Sequence, residues 1–137
     1  MIEQVLLIVG SGILGVLGIA HLIYTFFSDK FDAYDKSVTA AMKKTTLVLT
    51  KETTMWKAWV GFNASHSLGA ILVPLFFIPL TVNNISIIQD SLWLSTLPAL
   101  IGLSYFVLAK NYWFKIPLIG ICLACACFIG AAVVINI

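Results

Sequence analysis

The sequence predicts an all-α fold, a four-transmembrane-helix bundle with an amphipathic cytoplasmic connector between helices 1 and 2. Three observations predict it. Hydrophobic residues make up 61% of the chain and charged residues only 10%, against about 25% charged in a soluble domain, so the chain cannot cover a water-facing surface. Four apolar stretches each approach the ~20 residues that cross a hydrocarbon core. All eight lysines lie in or beside two segments, residues 28–57 and 110–116, and there is no arginine. A length of 137 residues suits one compact unit, so residues 1–137 are read as a single integral membrane domain.

The first span is read at residues 2–27, with Glu3 as its only charge. It lacks the basic leader and the cleavage site of a signal peptide, and its apolar run is too long for one, so it is expected to be retained. The second span covers residues 55–80, with Lys57 near its start and Pro74 and Pro79 bending its last turns. The third covers residues 92–109 and carries Pro98, and the fourth covers residues 116–137. Trp56, Trp59, Trp93, Tyr105, Tyr112 and Trp113 sit near span ends, where aromatic belts form.

Residues 28–54 are too many for a plain loop in so small a bundle. Phe31, Tyr34, Val38 and Met42 recur at helical spacing, which predicts a short amphipathic helix on the membrane surface. Thr50, Thr53 and Thr54 are candidate caps for the second span. The segment reads as a lipid-hugging connector or, more sharply, as a lid over an entrance. The positive-inside rule places both lysine-bearing segments in the cytoplasm. Both termini then lie on the non-cytoplasmic side, and a bacterial inner membrane is the expected location. The small net charge of +2 and its placement point to membrane lipids as a partner and not to nucleic acid.

The richest chemistry lies in residues 56–69. On a helix, Gly61, Ser65 and Gly69 form one stripe of small residues that admits another helix closely. Trp59, Asn63, His66 and Ala70 form a stripe on a nearly opposite face, flanked by Trp56 and Ser67. The pattern predicts a helix buried on both sides. His21 on the first span shares a face with Tyr24 and Thr25. At 1.5 Å per residue, His21 lies ~9 Å inside Phe27 and His66 ~13 Å inside Lys57, so the two histidines can face each other in the cytoplasmic half. Gly10, Gly12, Gly15 and Gly18 let the first span pack tightly elsewhere.

Polar residues within a span can simply glue helices together, at ~0.6 kcal/mol per interhelical hydrogen bond. An intramembrane histidine is equally a functional candidate. For the group His21, Tyr24, Asn63, Ser65, His66 and Ser67, a binding site is favoured over glue, because so many donors and acceptors at one depth exceed what packing needs. Two histidines can also hold a b-type haem or a metal. The nearest acids, Asp29 and Glu52, lie at the interface and cannot support a ligand ring at that depth. No metal or cofactor is therefore expected, and haem is kept only as the weaker alternative. A Ser-His-Asp triad lacks its carboxylate. Cys122, Cys125 and Cys127 sit in an apolar helix with nothing to lower a thiol pKa and read as packing residues.

The segments His21-Leu22-Ile23-Tyr24-Thr25 and Trp56-Lys57-Ala58-Trp59-Val60-Gly61-Phe62-Asn63-Ala64-Ser65-His66-Ser67-Leu68-Gly69 carry a resemblance. The chain is similar to an uncharacterised family of small bacterial four-span membrane proteins with H-x-x-Y-T and W-x-A-W-x-G-F-N-x-S-H-S-x-G motifs. The match covers the first two spans and the connector. The family is arginine-rich in the connector where this chain uses lysine, which changes little electrostatically. The resemblance implies four spans and points to His21, Tyr24, Thr25, Trp56, Trp59, Asn63, Ser65 and His66, but it supplies no reaction.

The expectation is an intramembrane polar pocket for an amphipathic, lipid-, quinone- or isoprenoid-like ligand. Its polar end would meet His21, Asn63 and His66, with Trp56 and Trp59 at the entrance. Two other classes stay open: a membrane-embedded enzyme using His66 or His21 in acid–base chemistry, and a structural subunit of a homo-oligomer or larger membrane complex.

Overall fold

A computed structural model describes residues 1–137. The chain is all-α. Its elements are α1 (Ile2–Phe27), α2 (Lys36–Lys44), α3 (Met55–Asn83), α4 (Ile85–Gln89), α5 (Leu92–Tyr112) and α6 (Lys115–Asn136). Four of them, α1, α3, α5 and α6, are long and apolar enough to cross a membrane, the make-up of a multi-pass membrane protein. Helix α3 continues through Pro74 and Pro79 to Asn83, and α5 continues through Pro98 to Tyr112, so both outrun the expected bounds.

Cα packing divides the chain into two compact units. Unit 1 comprises Met1–Leu17 and Ala70–Ile137. It is a helical bundle whose core includes Leu7, Leu14, Phe77, Ile121 and Phe128. Glycines set its closest approaches. A Cβ on Gly10 would lie 2.8 Å from Phe128 Cε1, one on Gly15 would lie 2.8 Å from Pro74 Cγ, and one on Gly102 would lie 3.1 Å from Cys125 Cα. Glycine at these points removes the atom that would hold the helices apart, which is how bilayer helices gain van der Waals contact without a hydrophobic drive. Cys125 is a buried packing residue here, and all three cysteines are free thiols. Near the chain ends, Asn136 Nδ2 donates to Ser95 Oγ at 3.0 Å and ties α6 to α5.

Unit 2 comprises Gly18–Gly69. It holds the end of α1, the connector and the first half of α3. The connector differs from the sequence expectation. Asp35 accepts from the Ser37 backbone N–H at 2.8 Å and caps α2, so the helix begins only at Lys36. Phe31 and Tyr34 therefore precede the helix and do not extend its apolar stripe. Tyr34 is fully exposed and Thr39 is the buried residue of α2. Thr39 Oγ1 accepts from the Ala33 N–H at 3.1 Å and holds the preceding turn against the helix. An antiparallel bridge pairs Thr46 with Thr54, and the Met55 N–H donates to the Thr45 carbonyl at 3.0 Å. Of the three candidate threonines, Thr54 is the cap of α3, its hydroxyl accepting from the Lys57 N–H at 3.3 Å.

Candidate functional site

The site lies wholly within unit 2. The end of α1 supplies His21, α3 supplies Asn63 and His66, and the connector supplies Phe31. His21 Nε2 stands 2.9 Å from Asn63 Oδ1. The orientation of the Asn63 amide is set by its other end, because Nδ2 donates to the Trp59 carbonyl at 2.8 Å. An amide oxygen only accepts, so His21 carries its proton on Nε2 and, when neutral, leaves Nδ1 as the acceptor. The His21 and His66 rings meet edge to face, with centroids 5.4 Å apart. Both histidines and Asn63 are half-buried.

Phe31 closes this group from the connector. Its ring lies 4.3 Å from the His21 ring, centroid to centroid. Its backbone is tied down as well, since the Trp59 indole N–H donates to the Phe31 carbonyl at 3.2 Å. Trp59 itself remains 43% exposed, so the tie is at the surface of the unit. The result is a layered arrangement: His66, His21 with Asn63, then Phe31, then Trp59 holding Phe31 in place.

The other expected site residues do not all converge on this point. Thr25 Oγ1 donates to the His21 carbonyl at 2.8 Å, and Ser67 Oγ donates to the Asn63 carbonyl at 2.9 Å. Both hydroxyls are spent on their own helices beside the site, the usual fate of serine and threonine in helix interiors. Tyr24 faces the connector, with Lys30 Nζ 4.4 Å over its ring and Phe31 6.5 Å away. Trp56 sits under Lys43 Nζ at 5.0 Å. Ser65 lies away from the histidines. It is exposed, donates to the Phe62 carbonyl at 3.0 Å, and lines a shallow notch of about 280 Å³ with Ala58, Gly61 and Phe62.

That notch corrects the expectation that α3 is buried on both sides. Gly61 is exposed, and a Cβ built on it meets nothing within 4 Å. The small-residue stripe is open where the polar stripe is covered. Residue spacing predicted both stripes, but it carries no information on which of them has a partner inside the chain. Phe31 is the site residue that sequence reasoning missed. Its spacing with Tyr34 and Val38 placed it on a surface helix, and only the cap at Asp35 releases it to reach His21.

Comparison with family models, with curated proteins and with solved structures finds no match to the chain.

Proposed function

We propose that the His21–Asn63–His66 group is the polar docking point of a membrane-embedded binding protein for an amphipathic ligand, lipid-, quinone- or isoprenoid-like. The observation that supports this most is the Phe31 cover. Two histidines and an amide meet within a chain whose helices are of membrane length. They are closed by one aromatic side chain from a connector, not by a fifth helix. Phe31 occupies the place where a ring or acyl chain would stack on His21, and a single hydrogen bond from Trp59 ties its backbone. Displacing Phe31 would open the face of the His21 ring, its Nε2 still bonded to Asn63, and give a ligand headgroup access to the histidine pair. The ligand's apolar part would remain beside the exposed aliphatic faces of α1 and α3.

The same geometry counts against the haem alternative in this conformation. His21 Nε2 is committed to Asn63 at 2.9 Å and is not open to an iron. Acid–base chemistry by His66 or His21 rests on the same residues and would show as turnover. A second reading, the structural subunit, is favoured by the open Gly61–Ser65 notch. It predicts that Gly61→Leu releases a partner while His66→Ala does not.

The family resemblance in the first two spans, the bacterial inner membrane and the placement of both termini on its non-cytoplasmic side belong to the same proposal. They rest on the two motifs and on where the lysines lie. A photoactivatable long-chain alcohol, cross-linked to the protein in mild detergent and mapped by peptide mass spectrometry, tests the site. Label concentrated on residues 18–31 and 55–69 is expected. Label spread evenly over the four long helices would remove the reading.

A further inference from the structure

The connector is electrostatically divided. Residues 28–35 hold Asp29, Asp32 and Asp35 against the single base Lys30, whereas residues 36–57 hold Lys36, Lys43, Lys44, Lys51 and Lys57 against the single acid Glu52. The acidic part runs past the histidine site. The basic part leads away from it, through the end of α2 into residues 45–54. None of these lysines is within ion-pair distance of a carboxylate. Like charges gathered with no carboxylate beside them raise a positive local potential that attracts counter-charge from outside the chain.

The geometry of residues 45–54 says where that counter-charge lies. The Thr46–Thr54 bridge closes the segment at its base, and the Thr45 carbonyl receives the Met55 N–H. The base is thus fixed to the first turn of α3. Lys43 Nζ stands over the Trp56 ring in that same turn. Tryptophan in the first turn of a membrane-length helix marks the level of the lipid headgroups, so the Lys43 ammonium stands at that level. At the tip, Val48 and Leu49 are almost completely exposed. An apolar tip on a closed loop, flanked in sequence by Lys43, Lys44, Lys51 and Lys57, has the composition of an interfacial anchor.

We infer that the loop closed by Thr46 and Thr54 docks on anionic lipid headgroups, with Val48 and Leu49 entering the acyl boundary and the flanking lysines holding the phosphates. The exposed tip decides the source of the phosphate. A free anion would satisfy the lysines and leave Val48 and Leu49 in water, whereas a lipid takes up both. This surface is separate from the histidine site, and it stands or falls without the ligand proposed there.

The test uses the full chain reconstituted in nanodiscs of phosphatidylcholine alone and of phosphatidylcholine with phosphatidylglycerol. Amide hydrogen exchange is followed in residues 45–54, with α5 and α6 as the control for folding. Exchange in residues 47–51 is expected to slow by roughly tenfold or more in the anionic discs, since each lysine near such a surface contributes severalfold to docking. High salt should abolish the difference in the unmodified chain. The variant Lys43→Gln/Lys44→Gln/Lys51→Gln should abolish it at low salt, and Val48→Ser/Leu49→Ser should reduce it. Equal exchange in the two disc types overturns the inference. So does a difference that survives high salt, a readout that does not depend on any variant folding.

Discussion

Gly10→Ala is the sharpest test of the packing in unit 1. The added Cβ would stand 2.8 Å from Cε1 and 3.0 Å from Cδ1 of Phe128, and 3.1 Å from Cβ of Cys127. The Phe128 ring cannot slide aside. It is fully buried, and its Cδ2 already lies 3.1 Å from where a Cβ on Gly102 would stand. The ring is gripped between two glycines on two helices. Overpacking of this kind costs about 1–3 kcal/mol, and the gain in helix propensity on replacing glycine offsets about 0.5–1 kcal/mol of it. A net loss of up to about 2.5 kcal/mol follows. Gly12 provides the internal control, since a Cβ there meets nothing within 4 Å. Gly12→Ala should be neutral or stabilising by up to about 1 kcal/mol. The assay is reversible unfolding in mixed micelles, titrated with sodium dodecyl sulfate and read by circular dichroism. In a Phe128→Leu background the ring edge is gone, so the Gly10→Ala penalty should shrink, with a coupling energy of about 1 kcal/mol. Equal behaviour of Gly10→Ala and Gly12→Ala, or a penalty indifferent to Phe128→Leu, would refute the argument.

Other outcomes follow from unit 2. The Ser37 hydroxyl and backbone N–H, both bonding to Asp35, hold its carboxyl below the usual aspartate range. A depressed carboxylate pKa gives a contribution that is present above the unfolded pKa and lost as pH falls through the folded one. The start of α2 should therefore fray, with faster amide exchange at residues 37–39, as pH drops below the ordinary aspartate pKa. Asp35→Ala should show that exchange at neutral pH, and Asp35→Asn should remove the pH dependence while keeping a cap. A double-mutant cycle of His21→Leu and Asn63→Leu should give a coupling of ~0.6 kcal/mol and not more than ~1.7 kcal/mol, the range for interhelical hydrogen bonds in bilayers; zero coupling would mean the 2.9 Å contact carries no energy. Phe31→Ala should speed the exchange of any bound amphipathic ligand without changing the far-ultraviolet spectrum, measured with a fluorescent fatty alcohol. An unchanged off-rate would remove Phe31 from the access route.

The helical architecture was readable because apolar length alone separates a membrane helix from its surroundings. Hydropathy marked α1 and α6 almost to the residue, and it erred at the ends of α3 and α5, where Val82, Asn83, Asn111 and Tyr112 extend helices past the apolar core. The common depth of His21 and His66 was readable, but not whether the two rings meet, which depends on how each helix is turned about its axis. Two helices joined by one connector run past each other, and the rise per residue places both rings at one level. Phe31 was not readable. Its periodicity with Tyr34 and Val38 is genuine, but one hydrogen bond at Asp35 decides where α2 starts, and hydrophobic spacing does not register such a bond. Nor was the fate of Ser65. Gly61 and Ser65 make the same pattern whether a helix lies against them or not, whereas Gly10 and Gly15 are filled by Phe128 and Pro74 from elements distant in sequence.

Native mass spectrometry of the full chain released from mild detergent, with an absorption spectrum of the same sample, tests the central claim most directly. A colourless protein carrying one stoichiometric lipid-like molecule, lost from a folded His66→Ala variant, is the predicted result. An empty wild-type protein, equal recovery from both proteins, or a Soret band would contradict the account.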